Sequence, residues 1–273
     1  MRADGNFVSG HLRRLGDYLI TYGVLALLAV MILVWTVLAL GLLAPLPRRR
    51  RRACARYSMM AGFRLFSRAL VVTGAYELDL EQIDALRSGP PVILAPNHPS
   101  SIDAILLLAR LPDLACILKP ELLGNFFLGA GARLAGFVPS APPLRMTKAA
   151  VAELERGSRV LLFPEGTRST RHPVNPLTGG VAVIARRARV PIQVALIETD
   201  SPYLGKGWPL WKAPRLPIRC RIRLGRRLDW DEDTDGCLER LEHEYAEALA
   251  RAPQRAWLPA SRAPAAPALE EVG

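Results

Sequence analysis

Hydrophobic residues recur along this chain in distinct rhythms, and each rhythm predicts a different element. Residues 20–44 run 25 positions without a charge, longer than the ~20 apolar residues a helix needs to cross a bilayer. Residues 57–70 follow as an amphipathic stretch. Beyond them, short apolar runs alternate with helical patterns: buried strands are expected at 92–95, 159–163 and 192–197, and helices at 104–111, 146–156 and 179–188, with Gly157 ending the second helix. Strand, helix, strand order implies an α/β fold with a mostly parallel sheet flanked by helices, preceded by an N-terminal membrane helix. Residues 216–224 differ, because Arg219, Arg221 and Arg223 alternate with Ile218, Cys220, Ile222 and Leu224, placing three arginines on one strand face. An amphipathic helix is expected at 238–251 and a disordered Pro- and Ala-rich tail at 252–273.

Composition narrows the class. The 273 residues carry 36 Lys+Arg against 25 Asp+Glu, a net charge of +11, 50% hydrophobic residues and a mean hydropathy of +0.15. Such apolar content excludes a disordered regulator, and a chain both basic and apolar points to a membrane surface rather than to nucleic acid. Arg48 to Arg52, and then Arg56, follow the apolar run, against Arg2, Arg13 and Arg14 before it. The positive-inside tendency places the remainder on the cytoplasmic side of the inner membrane. A cleavable signal would carry ~7–15 apolar residues and a small-residue cleavage site, whereas five arginines stand here. A buried core helix and an interfacial hairpin that enters one leaflet are the alternatives to a span. The chain then divides into a membrane anchor with its basic flank (1–52), a main domain (53–251) and the tail (252–273). Residues 203–228 hold eight Lys or Arg and no acid, read either as a solvated face or as a surface for anionic headgroups. Cys54, Cys116, Cys220 and Cys237 form no C-x-x-C pair and read as free thiols.

Two strand ends carry reactive side chains. In the first, His98 directly follows the 92–95 strand and Asp103 lies five residues on, about one turn inside the expected helix. The carboxylate can then hold one imidazole nitrogen and leave the other to take a proton. In the second, Glu165, Gly166, Thr167 and Arg168 follow the 159–163 strand. There a glycine turn offers backbone N–H groups and Arg168 a planar guanidinium, a set suited to phosphate. Ser100 and Ser101 lie in no G-x-S-x-G elbow, so His98 is expected to activate a substrate hydroxyl without a covalent enzyme intermediate. A metal on His98, Asp103 and Glu165 would lack a second histidine, and no metal or cofactor is expected.

These residues resemble the motifs of the glycerolipid acyltransferase family that includes 1-acylglycerol-3-phosphate acyltransferases. Asn97, His98 and Asp103 match N-H-x4-D, and residues 163–169 match F-P-E-G-T-R-S without a change. The resemblance implies acyl transfer from an acyl-CoA or acyl carrier protein thioester to a lysophospholipid at the bilayer, with lysophosphatidate giving phosphatidate. It makes His98 the general base, Asp103 its partner, and Glu165, Gly166, Thr167 and Arg168 the phosphate-binding turn, with Glu165 ordering that turn. Two positions depart from the family pattern. The arginine usual after the glycine of the second motif is absent near Gly136, leaving Lys119 and Arg145 as candidate acceptor contacts, and Val194 stands where a second proline is common. An ornithine-type aminolipid or a glycolipid acceptor is the alternative within the same chemistry. A non-catalytic membrane protein that binds anionic lipid is the alternative outside it.

Overall fold

The computed structural model describes residues 4–230 and 232–250; the expected 252–273 tail lies outside them. Two long helices come first, α1 (Asp4–Leu43) and α2 (Arg48–Val72), joined by a short turn. The elements that follow are β1 (Tyr76–Asp79), a 3-10 segment (Glu81–Arg87), β2 (Ile93–Pro96), α3 (Asp103–Leu108), β3 (Leu114–Leu118), α4 (Pro120–Gly124), α5 (Phe126–Leu134) and β4 (Val138–Pro139). The chain continues through α6 (Pro143–Glu155), β5 (Arg159–Leu161), α7 (Gly180–Ala188), β6 (Ile192–Thr199), β7 (Ile218–Leu228) and α8 (Thr234–Ala250).

The strands form one seven-stranded sheet in the order β1-β7-β6-β2-β5-β3-β4. Every pairing is parallel except β6 with β7. Side chains of β2 alternate between the two faces: Leu94 joins a core with residues of α2 and α3, whereas Ile93 and Ala95 join one with α6, α7 and α8. Burial on both faces is why these strands read as continuous apolar runs. The helix expected at 146–156 is α6, and it stops where the sequence says. Gly157 takes φ +91°, its N–H reaches Leu154 O, and Ser158 N–H reaches Glu153 O, a left-handed cap that glycine adopts freely.

The short strands β3 and β4 were not evident from pattern. β3 is a five-residue apolar run lying close behind α3, and β4 has only two residues, so neither has a period of its own. The strand expected at 159–163 ends at Leu161, because the chain turns out of the sheet into the second motif.

α1 contains a stretch, His11–Leu43, long and apolar enough to cross a membrane. Its buried positions are Thr21, Val24, Thr36 and Ala39, while Leu12, Leu19, Val37 and Leu42 are more than half exposed. The inner side is held along its length. Tyr22 Oη donates to Leu210 O, Trp35 Nε1 donates to Ser58 Oγ of α2, and the Trp35 ring lies so close to Gly131 of α5 that a Cβ there would meet it at 2.3 Å.

Part of the basic flank is built into the fold, while Arg48, Arg49 and Arg50 stay exposed. Arg48 to Arg52 form the first turns of α2, so the expected division at 52/53 falls inside a helix. Arg56 is buried, donating to Glu153 Oε2 and Asp113 Oδ1, each at 2.6 Å, and to Ser158 Oγ and Ala135 O. Arg52 reaches the other Glu153 oxygen at 2.6 Å. Positive charge at a helix amino terminus opposes the helix dipole, and here the Glu153 carboxylate of α6 offsets it. Three of the five β7 arginines are likewise paired, whereas Arg226 and Arg227 are exposed. Arg219 meets Glu77, Arg221 meets Asp79 and Arg223 meets Glu198, following the strand register. That face is a set of cross-strand ion pairs, and its charge is largely satisfied within the sheet.

Candidate active site

β2 lies near the middle of the sheet, between β6 and β5, and the site forms at its carboxyl end, where parallel α/β sheets leave a crevice. After Pro96 the ladder with β6 is continued by a side chain. Asn97 Nδ2 donates to Ile197 O at 2.9 Å, and Ile197 N–H donates to Asn97 Oδ1 at 2.7 Å. One amide thus replaces a peptide pair and frees the main chain to leave the sheet at His98. Beneath this point Tyr245 of α8 donates its hydroxyl to Ala95 O at 2.7 Å, in full burial.

His98 Nδ1 lies 3.0 Å from Asp103 Oδ2, and Ser100 N–H donates to the same oxygen at 2.7 Å. The helix expected at 104–111 spans Asp103–Leu108, so Asp103 opens it rather than lying a turn inside. Asp103 is the first residue of α3, and Pro99 to Ile102 form the turn that brings the carboxylate back to the imidazole. Asp103 is 1% exposed. Burial raises its pKa above the ordinary carboxylate value, while the His98 and Ser100 contacts act in the opposite direction. The imidazole stacks on Phe163, with ring centroids 3.8 Å apart, and its side chain stays 18% exposed. Asp103 and Phe163 therefore fix both the hydrogen-bonded edge and the plane of the ring.

Glu165 faces inward. Oε1 accepts the His98 N–H at 2.9 Å and the Ser169 hydroxyl at 2.6 Å, and Oε2 accepts the Asn175 N–H at 2.8 Å. With Ser169 N–H donating to His98 O, the second motif is tied to the main chain of the first. Both Glu165 oxygens are committed, so this side chain orders the turn and does not itself face a ligand. Gly166 has φ +64°, a left-handed turn position that excludes a β-carbon by strain more than by crowding. Arg168 Nη1 donates to Leu204 O and Gly205 O at 2.8 and 2.9 Å. It thereby holds residues 203–205, which also accept the Ser100 and Ser101 hydroxyls.

Lys119 follows β3 and Arg145 lies in the first turn of α6. Both are exposed on the carboxyl-end side of the sheet, beyond β5 from β2. Sequence reasoning missed Asn175 and Tyr245. Asn175 is buried, and it closes the turn by accepting the Thr170 N–H and donating to Arg168 O. Asn175 follows the second motif by six positions without belonging to its pattern, and Tyr245 is brought to the site only by the fold.

Residues 77–198, which contain both motifs, match the Acyltransferase family. That match spans a little under half of the chain. It is 29% identical over 141 residues to the mouse (Mus musculus) 1-acyl-sn-glycerol-3-phosphate acyltransferase alpha, a match that covers 49% of this chain and 48% of the relative. The chain thus spans about half the length of that curated relative. Its fold matches the crystal structure of the 1-acyl-sn-glycerophosphate (LPA) acyltransferase PlsC from Thermotoga maritima, with a TM-score of 0.69 at 21% identity, covering 87% of this chain and 96% of that one.

Proposed function

We propose that this protein is a membrane-bound O-acyltransferase that moves a fatty acyl group from an acyl thioester to the free hydroxyl of a lysophospholipid, with 1-acyl-sn-glycerol-3-phosphate as acceptor and phosphatidate as product. The observation that carries the reading is the His98–Asp103 pair on a fixed ring plane, joined through Glu165 to the phosphate-type turn at Gly166 to Arg168.

With Nδ1 held by Asp103, Nε2 is the nitrogen left to act on substrate. It takes the acceptor hydroxyl proton as that oxygen attacks the thioester carbonyl carbon. The tetrahedral intermediate collapses, a C–O bond replaces the C–S bond, and the thiolate leaves. The proton on Nε2 then passes to the thiolate or to solvent, restoring the neutral ring. Asp103 stabilises the imidazolium in between. General-base assistance of this kind contributes ~10²–10⁴-fold. Holding the phosphate end of the acceptor at the Gly166–Arg168 turn lines its hydroxyl up with His98, which contributes further. The Gly166 N–H is spent on Phe163 O within the turn, so the Thr167 N–H and the remaining Arg168 nitrogens supply that hold, with Lys119 and Arg145 as outer contacts.

The α1–α2 hairpin brings this chemistry to the bilayer. Contacts at Tyr22 and again at Trp35 and Ala39 keep both ends of the apolar stretch against the domain, which supports a helix embedded in one leaflet over one that crosses. The domain then sits on the cytoplasmic face of the inner membrane, where both lipid reactant and product partition.

Membranes carrying the full chain, supplied with labelled acyl thioester and a panel of lysolipids, provide the test. Transfer to lysophosphatidate is expected, with His98→Ala lowering it at least ~10²-fold. Undiminished product from that variant would overturn the mechanism. Transfer only to an uncharged lyso-aminolipid or a glycolipid would overturn the acceptor.

A further inference from the structure

The loop between β6 and β7 ends in a tip that the fold leaves bare. Lys212 N–H donates to Pro209 O at 3.0 Å, which closes a four-residue turn with Leu210 and Trp211 as its central residues. Such positions ordinarily carry Gly, Asn, Asp or Ser, whereas these two side chains are large, apolar, and 68% and 78% exposed. The turn is nevertheless braced. Trp208 Nε1 donates to Lys212 O at 2.9 Å, the Lys212 ammonium lies 5.1 Å from the centre of the Trp208 ring, and that ring meets the buried Tyr203 edge-on. One tryptophan is thus the base of the turn and the other its exposed point.

Tyr203 and Leu216, near the two ends of this loop, share a core with Val24 of α1, so the loop and α1 cover the same face of the sheet. Leu12, Leu15, Leu19 and Tyr22 form a helical stripe on the outer side of α1, with the three leucines each more than half exposed. The Tyr22 hydroxyl donates to Leu210 O at 3.0 Å. The tip therefore continues the apolar outer face of α1. Lys206, Lys212 and Arg215 are exposed around it, and in the hollow between the turn and α1 the cations Arg14, Lys212 and Arg215 outnumber Asp17 and Asp200. An exposed indole on an apolar tip with a basic rim suits the boundary of an anionic bilayer, where tryptophan is enriched and cations meet headgroups.

We propose that the 209–212 turn is a second membrane contact, with Leu210 and Trp211 inserted among the headgroups of an anionic phospholipid bilayer beside the first half of α1. The assignment goes beyond the acyl-transfer reading and shares with it only the attachment of α1 to the membrane. Its consequence is orientation. A single helix lying in one leaflet is free to roll about its own axis, and a contact off that axis fixes the roll. The same loop supplies Leu204 O and Gly205 O to Arg168 and Tyr203 O to the Ser100 hydroxyl. The turn thereby sets how the two motifs face the bilayer.

The experiment uses the full-length protein carrying one thiol-linked nitrobenzoxadiazole fluorophore. Cys54 is exposed whereas Cys116, Cys220 and Cys237 are buried, so Cys54→Ser supplies the background. Leu210→Cys places the label on the turn, Val37→Cys on the outer face of α1, and Glu239→Cys on α8, which packs on the opposite face of the sheet. Each protein is reconstituted into vesicles of phosphatidylethanolamine and phosphatidylglycerol, with or without brominated acyl chains as quenchers. Labels at 210 and 37 should lose emission to the brominated chains, and the label at 239 should not. Adding Trp211→Glu should restore emission at 210 and leave the loss at 37. All of these positions are exposed, so unfolding midpoints in detergent should match the wild type, which separates a lost contact from a lost fold. Emission at 210 as indifferent to bromine as that at 239 would overturn the assignment. With quenching retained at 37, such a result would remove the turn alone; without it, attachment through α1 would fall as well. Emission at 210 that follows protein concentration and ignores bromine would overturn it in favour of a second copy of the chain.

Discussion

Asp103 couples function to stability in opposite senses. Its folded carboxyl titrates above the ordinary value because it is buried, so the folded state holds the proton more tightly than the unfolded chain does. Folding is therefore weakened as pH rises past the unfolded value of about 3.9, and the cost persists at neutral pH. Asp103→Asn keeps an oxygen for the Ser100 N–H and His98 Nδ1 but removes the charge. Thermal unfolding measured across pH should show this variant gaining on the wild type as pH rises through the carboxylate range, while transfer falls ~10²–10⁴-fold. A variant that loses stability at neutral pH would contradict the balance. Glu165 presents a different test, since Gln offers one acceptor oxygen where three donors converge. Glu165→Gln should cost ~1–3 kcal/mol and lower kcat more than it raises acceptor KM. A pure rise in acceptor KM would instead put this side chain in contact with the phosphate.

Among elements, α2 is the one whose sequence most misleads. Its arginine-rich start reads as a solvent-facing or lipid-facing flank, yet Arg56 and Glu153 are each only 4% exposed at the side chain and 2.6 Å apart. Breaking a buried pair by removing one partner leaves the other charge unpaired and costs ~3–5 kcal/mol. Arg56→Ala should thus lower the unfolding midpoint sharply, while Arg48→Ala, at an exposed position, should leave it almost unchanged. Denaturant titration of the two variants separates a structural clamp from a uniform effect of positive charge. The reason sequence could not foresee this is that Glu153 lies 97 residues away on α6, in a helix whose own pattern marks it only as amphipathic. By contrast, β2 and β6 were legible because burial on both faces leaves no choice but an unbroken apolar run.

At the level of the whole molecule, α1 presents an apolar outer face to whatever surrounds it, with Leu19, Val37 and Leu42 more than half exposed. An apolar face this long is an interaction surface in its own right, and lipid is the partner its composition suits. Replacing Val37 and Leu42 with Glu should lower the fraction of protein that floats with anionic phospholipid vesicles by about tenfold, while detergent-solubilised turnover of a short-chain acceptor persists. Raising salt should weaken vesicle binding to the extent that the exposed Arg48, Arg49, Arg50, Arg226 and Arg227 supply it, because Arg219, Arg221 and Arg223 are already paired with Glu77, Asp79 and Glu198. Vesicle binding indifferent to salt would show that the apolar face of α1 acts alone.

The sequence by itself determined the alternation of strand and helix, the apolar amino-terminal helix, and the two motifs with His98, Asp103, Glu165 and Arg168 at strand ends. These are local properties, set by periodicity, by turn residues and by side chains a few positions apart. The tertiary structure alone decided that the motifs lock together through Glu165 and the His98 main chain, that Asn175 and Tyr245 support them, and that Arg52 and Arg56 face inward. It also decided that Arg219, Arg221 and Arg223 of one strand are paired with acids of its neighbours. Each of these depends on pairing between residues distant along the chain, and the energy of such a pair is fixed by burial and partner, neither of which is written in the spacing of residues.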